Sequence, residues 1–99
     1  MAGEKLFIDK TELVAGFIRG KKFVTANLTC ENIISVSIEP CKTGLFKNKP
    51  DERIVIASGK LNEPIIYYRH TEKKFFDSYA KDIEKFCKDN NISFRKNVE

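Results

Sequence analysis

The residues from Phe75 to Cys87 constrain this chain most. Placed at about 100° per residue, Phe75, Phe86, Tyr79, Ile83, Phe76, Cys87 and Ala80 fall in that order within an arc of about 140°. Lys73, Glu84, Asp77, Lys88, Lys81, Lys74, Lys85, Ser78, Asp89 and Asp82 fill the rest of the circle, and no charge enters the apolar stripe. This predicts one amphipathic helix near residues 71–90. Thr71 suits its N-cap, Glu72 its dipole, and Asn90 or Asn91 its left-handed close. Asp77–Lys81 and Glu84–Lys88 have the favourable i,i+4 order on its wet side. No second stretch shows this period, so the stripe must be covered by β structure.

The chain before the helix is broken by turns every eight to twelve residues, the spacing of a β-sandwich or barrel. Lys5–Ile8 reads as a strand, residues 9–12 as a polar break, and Leu13–Ile18 as the return strand. Arg19-Gly20-Lys21 is a tight turn in which Gly20 supplies the positive-φ option, and Lys22–Ala26 continues the meander. After a short turn over residues 29–33, Ile34, Val36 and Ile38 alternate with Ser35, Ser37 and Glu39. That pattern predicts a half-buried strand with the three apolar residues on one face, ended by Pro40. Residues 41–52 hold Gly44 and Pro50 and read as an exposed hairpin connection. Arg53–Ser58 and Pro64–Tyr68 are the fifth and sixth strands, joined by a turn over residues 59–63.

At 99 residues, with a hydrophobic fraction of 41% and a charged fraction of 32%, the composition is that of one globular domain spanning residues 1–99. Strands are expected over about 5–69, the helix over about 71–90, and a short tail over 91–99. The length excludes a (β/α)₈ barrel, which needs about 250 residues. The apolar runs are too short to span a bilayer, and no signal peptide is legible. Net charge is +4, without the dense basic stripe of a dedicated nucleic-acid binder. Cys30, Cys41 and Cys87 are widely spaced, and His70 is the one histidine, so no zinc set can be written from local spacing. Reduced, packed thiols in a cytosolic protein are expected.

Six short strands followed by one amphipathic helix is the order of a pleckstrin-homology-like domain. The stretch Thr29 to Ile38 resembles the turn-then-strand segment of bacterial members of that superfamily and of the related GRAM domains. So do Arg53-Ile54-Val55-Ile56, then Pro64-Ile65-Ile66-Tyr67-Tyr68, then the helix. The resemblance covers about residues 5–90 and rests on hydrophobic patterns. It implies a mainly β (α+β) fold: an antiparallel β-sandwich or open barrel of six to seven strands, capped by the C-terminal helix. The family's seventh strand is then missing, contained in residues 40–52, or formed by Ile92-Ser93-Phe94-Arg95. The family lends its members a binding role, toward phosphoinositide headgroups, peptides or partner proteins.

Two basic clusters are candidate anion sites. Arg19, Lys21 and Lys22 flank Gly20 at a hairpin tip, where three cations and free turn N–H groups can gather round a phosphate. Lys42, Lys47 and Lys49 surround Leu45 and Phe46, a pattern that can dip into an anionic membrane interface. Each has a plainer reading, as a solvated turn that guards a sheet edge or as a loop folded back on the sheet. No nucleophile motif and no Gly-rich phosphate loop occurs, and Cys87 lies on the apolar helix face. No catalytic residue, metal or cofactor is expected. The expectation is a non-enzymatic binding or scaffolding module, cytoplasmic or peripheral at a membrane. Its partner is another protein or a second copy through a sheet edge, with anionic lipid headgroups as the alternative and no specific nucleic acid.

Overall fold

In the computed structural model, residues 5–44, 46 and 48–96 are described. Their elements, in chain order, are β1 (Leu6–Ile8), β2 (Glu12–Arg19), β3 (Lys22–Thr29), β4 (Ile33–Thr43), β5 (Lys49–Ser58), β6 (Ile65–Tyr68), α1 (Arg69–Glu72), α2 (Phe75–Asp89) and β7 (Ser93–Lys96). The fold is mainly β. Strands β1-β2-β3 form one antiparallel sheet, and β6-β5-β4-β7 form the other. No ladder among the described residues joins the two.

A seventh strand follows the helix. Strand β7 pairs parallel to β4, Ser35 to Ser93 through Ile38 to Lys96. A parallel neighbour requires a crossover, and α2 supplies it. Residues 40–52 also carry strand. Strand β4 runs past Pro40 to Thr43, and β5 begins at Lys49, so the predicted loop shrinks to its tip. Pro40 pairs with Glu52 and Pro50 with Lys42. Both prolines lie beyond the described pairings of β7 and β6, where a missing N–H breaks no second ladder.

The expected face of β4 is corrected at one position. Ile33, Val36 and Ile38 are buried, whereas Ile34 is 64% exposed. A β-bulge between Ile33 and Ser35 sets two steps of β4 against one of β5, from Ser58 to Ala57. The extra residue turns Ile34 outward and brings Ile33 into the core.

The helix is also corrected at its start. A turn, α1, precedes α2, and Lys73 between them has φ 54, which breaks the continuous helix expected from residue 71. Thr71 therefore lies inside α1 rather than capping the main helix. Asn91, with φ 56, does supply the left-handed close. The aromatic stripe is buried as its period requires. Phe76, Tyr79, Ile83, Phe86 and Cys87 join Leu6, Leu13, Ala15 and Leu28 of one sheet and Val36, Ile54, Ile56 and Ile65 of the other in a single core. Burial pushes the Cys87 thiol up to about 11, so this sulfur is a packed apolar group. The sheets are tied by one buried bond, in which the Tyr67 hydroxyl donates to the Gly16 carbonyl at 2.8 Å. The Tyr79 hydroxyl accepts the Lys5 N–H at 2.7 Å.

Candidate functional site

The hairpin of β2 and β3 carries the first basic cluster. Arg19 and Lys22 are direct cross-strand partners, and Gly20 and Lys21 form the two-residue turn between them. Gly20 has φ 66, the conformation a tight hairpin needs at its first central position. By alternation from buried Leu13 and Ala15, Arg19 and Lys22 lie on the core side of the sheet, at its open end. The Arg19 guanidinium sits 5.0 Å from the Phe17 ring centre, and its Nε is 4.0 Å from a Glu63 carboxylate oxygen. From Leu13 through Cys30 the chain has no acidic residue, so this tip is locally positive. Behind it, between β2 and β6, lies a cleft of about 390 Å³ lined in part by Lys5, Phe17, Arg19, Glu63, Tyr68 and Glu72. Its charges are internally paired, since Lys5 Nζ holds the buried Glu72 at 3.2 Å and Arg19 faces Glu63.

The second cluster does not assemble. Lys47 and Leu45 lie outside the described residues. Lys42 pairs with Pro50, and Lys49 pairs with Thr43, so alternation puts Lys42 and Lys49 on opposite faces of the ribbon. Phe46 is 80% exposed at the tip and is not folded back on the sheet. The described members of the two clusters are held at different places. The first lies beside Glu63, before β6, while the ribbon bearing the second docks on α1, after it.

That docking is a polar junction with no counterpart in the sequence reading. The Asp51 side chain is 3% exposed. It accepts the Glu52 N–H at 2.8 Å, the His70 N–H at 3.2 Å and the Thr43 hydroxyl at 3.2 Å, and it pairs with His70 Nδ1. Burial pushes the Asp51 carboxyl up, but the hydrogen bonds from His70, Glu52 and Thr43 outweigh it and hold the group below its ordinary value. Alongside, Arg69 Nε grips Glu52 at 2.7 Å, its Nη2 grips Asp77 at 2.9 Å, and its guanidinium lies 4.4 Å from the Phe76 ring centre. Asp77 is thus taken by Arg69, not by Lys81. Thr71 Oγ1 stands 3.3 Å from His70 Nε2, a long contact between neighbours in sequence. The junction places a carboxylate, an imidazole and a hydroxyl in line. What its geometry does is clamp the β4–β5 ribbon to α1.

The surface most unlike the rest of this charged chain is the outer face of the three-stranded sheet. Phe7 pairs with Val14, Ile18 with Phe23, Gly16 with Thr25, and Val14 with Asn27. Alternation puts these seven residues, six of them with side chains, on one face, away from Leu13, Ala15 and Leu28. None is charged. Phe7 is 60%, Ile18 66% and Phe23 58% exposed. Gly16 is there because the Phe23 ring lies over it: a Cβ at Gly16 would stand 2.4 Å from the ring's Cζ. The sequence signal for this face was the unbroken run Leu13-Val14-Ala15-Gly16-Phe17-Ile18, apolar on both sides of a strand. A strand covered on one side only leaves half of that run in water.

Compared with protein-family models, with curated proteins and with solved structures, the chain matches none. Among the described residues, no group of three or more His, Cys, Asp or Glu is arranged to hold a metal ion, and no helix is long and apolar enough to cross a membrane.

Proposed function

We propose that this chain is a non-enzymatic interaction module of pleckstrin-homology-like architecture, working in the cytoplasm, and that it engages protein through the outer face of β1-β2-β3. The fold reading is supported by six strands in meander order, two sheets about a shared core, and a helix whose aromatic stripe enters that core. In this reading β7, placed after the helix and parallel to β4, is an addition to the family's plan. The observation that carries the function is the apolar patch of Phe7, Val14, Ile18 and Phe23 on that face, with Glu12 at its far end. Exposed apolar patches of this kind mark interaction sites on soluble domains. A photo-crosslinking residue at Phe23 tests it in cells, with the same residue at Lys81 on the charged side of α2 as control. Discrete adducts at position 23 that disappear with Ile18→Glu are expected. Equal labelling at both positions would remove the reading.

A second reading has its own observation. The exposed pair Ile18–Phe23 adjoins Arg19, Lys21 and Lys22 at a hairpin tip with no acid from Leu13 through Cys30, an apolar edge with a cationic rim. That arrangement suits the surface of an anionic membrane, where each basic group contributes about 1 kcal/mol. Co-sedimentation with vesicles of neutral and of anionic lipid separates the two. Membrane binding requires a bound fraction that rises with anionic lipid and falls with salt, and that Lys21→Glu/Lys22→Glu reduces by about tenfold or more. Binding indifferent to lipid charge would eliminate it.

A further inference from the structure

We infer that the partner seated on the outer face of β1-β2-β3 is a second copy of this chain, packed sheet on sheet with its strands reversed. This rests on the proposed interaction role of that face and names its occupant.

The face has two unlike ends. At the β2–β3 tip the turn carries Lys21, while Arg19, which faces Glu63, and Lys22 are directed to the other side of the sheet. At the other end, in the β1–β2 and β3–β4 turns, stand Asp9, Glu12 and Glu31, with Lys10 among them. On this face the first end is therefore basic, through Lys21, and the second is acidic, through Glu12 and its neighbours Asp9 and Glu31. Two such faces stacked with strands parallel set like ends together. Stacked about a two-fold axis near Gly16, they set Lys21 of each copy over the Glu12 and Glu31 end of the other. Electrostatic complementarity of this kind selects partner and orientation more than it adds affinity.

The apolar relief has the same polarity. Phe7 and Val14 stand toward the acidic end, Ile18 and Phe23 toward the basic end, and Gly16 between them leaves a low centre filled by the Phe23 ring. Reversal sets Phe7 of one copy against the Ile18–Phe23 pair of the other. An isologous contact needs this property, in which a surface is its own complement under a two-fold rotation.

The sheet edge is a poorer place for the second copy. Residues at odd positions of β3 direct their backbone groups away from β2. The Asn27 carbonyl already accepts from Lys60 Nζ at 3.2 Å, and the Thr29 N–H donates to Asn32 Oδ1 at 3.2 Å. Strand addition there would break both bonds, and a lysine on an edge is a known guard. The middle of the face, from Val14 to Ile18, carries no charge. With strands about 4.8 Å apart and about 3.4 Å per residue, the apolar stretch from Val14 to Ile18 on β2, flanked by the short β1 and by β3, spans about 14 Å each way, a small interface that fits weak, reversible pairing.

Sedimentation velocity over about 5–500 µM protein reads the association. Wild type should move from monomer toward dimer across that range. Lys21→Glu and Glu12→Lys, each checked for an unchanged thermal transition, should each weaken self-association by about tenfold or more. Mixed in equal amounts, these two variants should pair with each other at close to wild-type strength, because each supplies the charge the other needs. The double variant Lys21→Glu/Glu12→Lys should self-associate again. A wild-type chain that stays monomeric throughout overturns the inference, as does dimerisation that neither single variant weakens or that mixing fails to restore. Failure here with intact crosslinking at position 23 would move the face to a different protein partner. Loss of both would remove the interaction role itself.

Discussion

Phe76→Ala should destabilise the fold by about 3–5 kcal/mol, out of the total of about 5–15 kcal/mol available to a domain of this size. Phe76 is fully buried where α2 meets both sheets. Alanine leaves a cavity that helix and sheets cannot both collapse into, because each is held by its own ladder of backbone bonds. The ring is also the surface on which the Arg69 guanidinium rests, so its loss frees the hub joining Glu52 and Asp77. Urea denaturation followed by far-ultraviolet circular dichroism measures the change. A loss below about 1 kcal/mol would mean that the helix is not the plug of the core.

Asp51→Ala should cost about 2–3 kcal/mol, a large effect for one residue at a ribbon end. The substitution deprives the Glu52 N–H, the His70 N–H and the Thr43 hydroxyl of their common acceptor and takes the carboxylate from His70. The same residue gives a pH signature. Because the folded state holds its carboxyl below the ordinary value, its contribution is fully present above about pH 4. It is lost as pH falls through the lowered folded value, where the native carboxylate finally takes up its proton. Urea midpoints from pH 6 down to pH 2 should fall more steeply for wild type than for Asp51→Asn. Parallel curves would show that the junction contributes nothing to folding.

The helix was legible because its stripe is dense enough to fix a period, and the hairpin tip because Gly20 between two basic flanks allows little else. What escaped shares one physical cause, non-local pairing. The sequence from Ile34 to Glu39 reads as simple alternation after a turn ending at Ile33, and only the register against Ser58 and Ala57 inserts the bulge that turns Ile34 out. Pro40 reads as a strand end and Pro50 as part of an exposed connection, yet both sit inside paired strands because the flanking ladders have already stopped. Asp77 has Lys81 at the favourable spacing, but Arg69 arrives from the preceding turn at 2.9 Å and takes it. Asp51 and His70 meet only once the ribbon lies on α1. The outer face was half legible: its apolar residues were visible in β2, but a strand pattern does not say which of its sides will be covered.

Strand β7 has a consequence for how the molecule is made. Ser35 finds its neighbour Ser93 more than half the chain later, with the whole of α2 between them. On a ribosome, the β7 side of β4 therefore waits unzipped until residues 93–96 have emerged, and closing so long a loop is a slow event. Nascent chains stalled before residue 93 should be the stage at which this sequence most needs a chaperone.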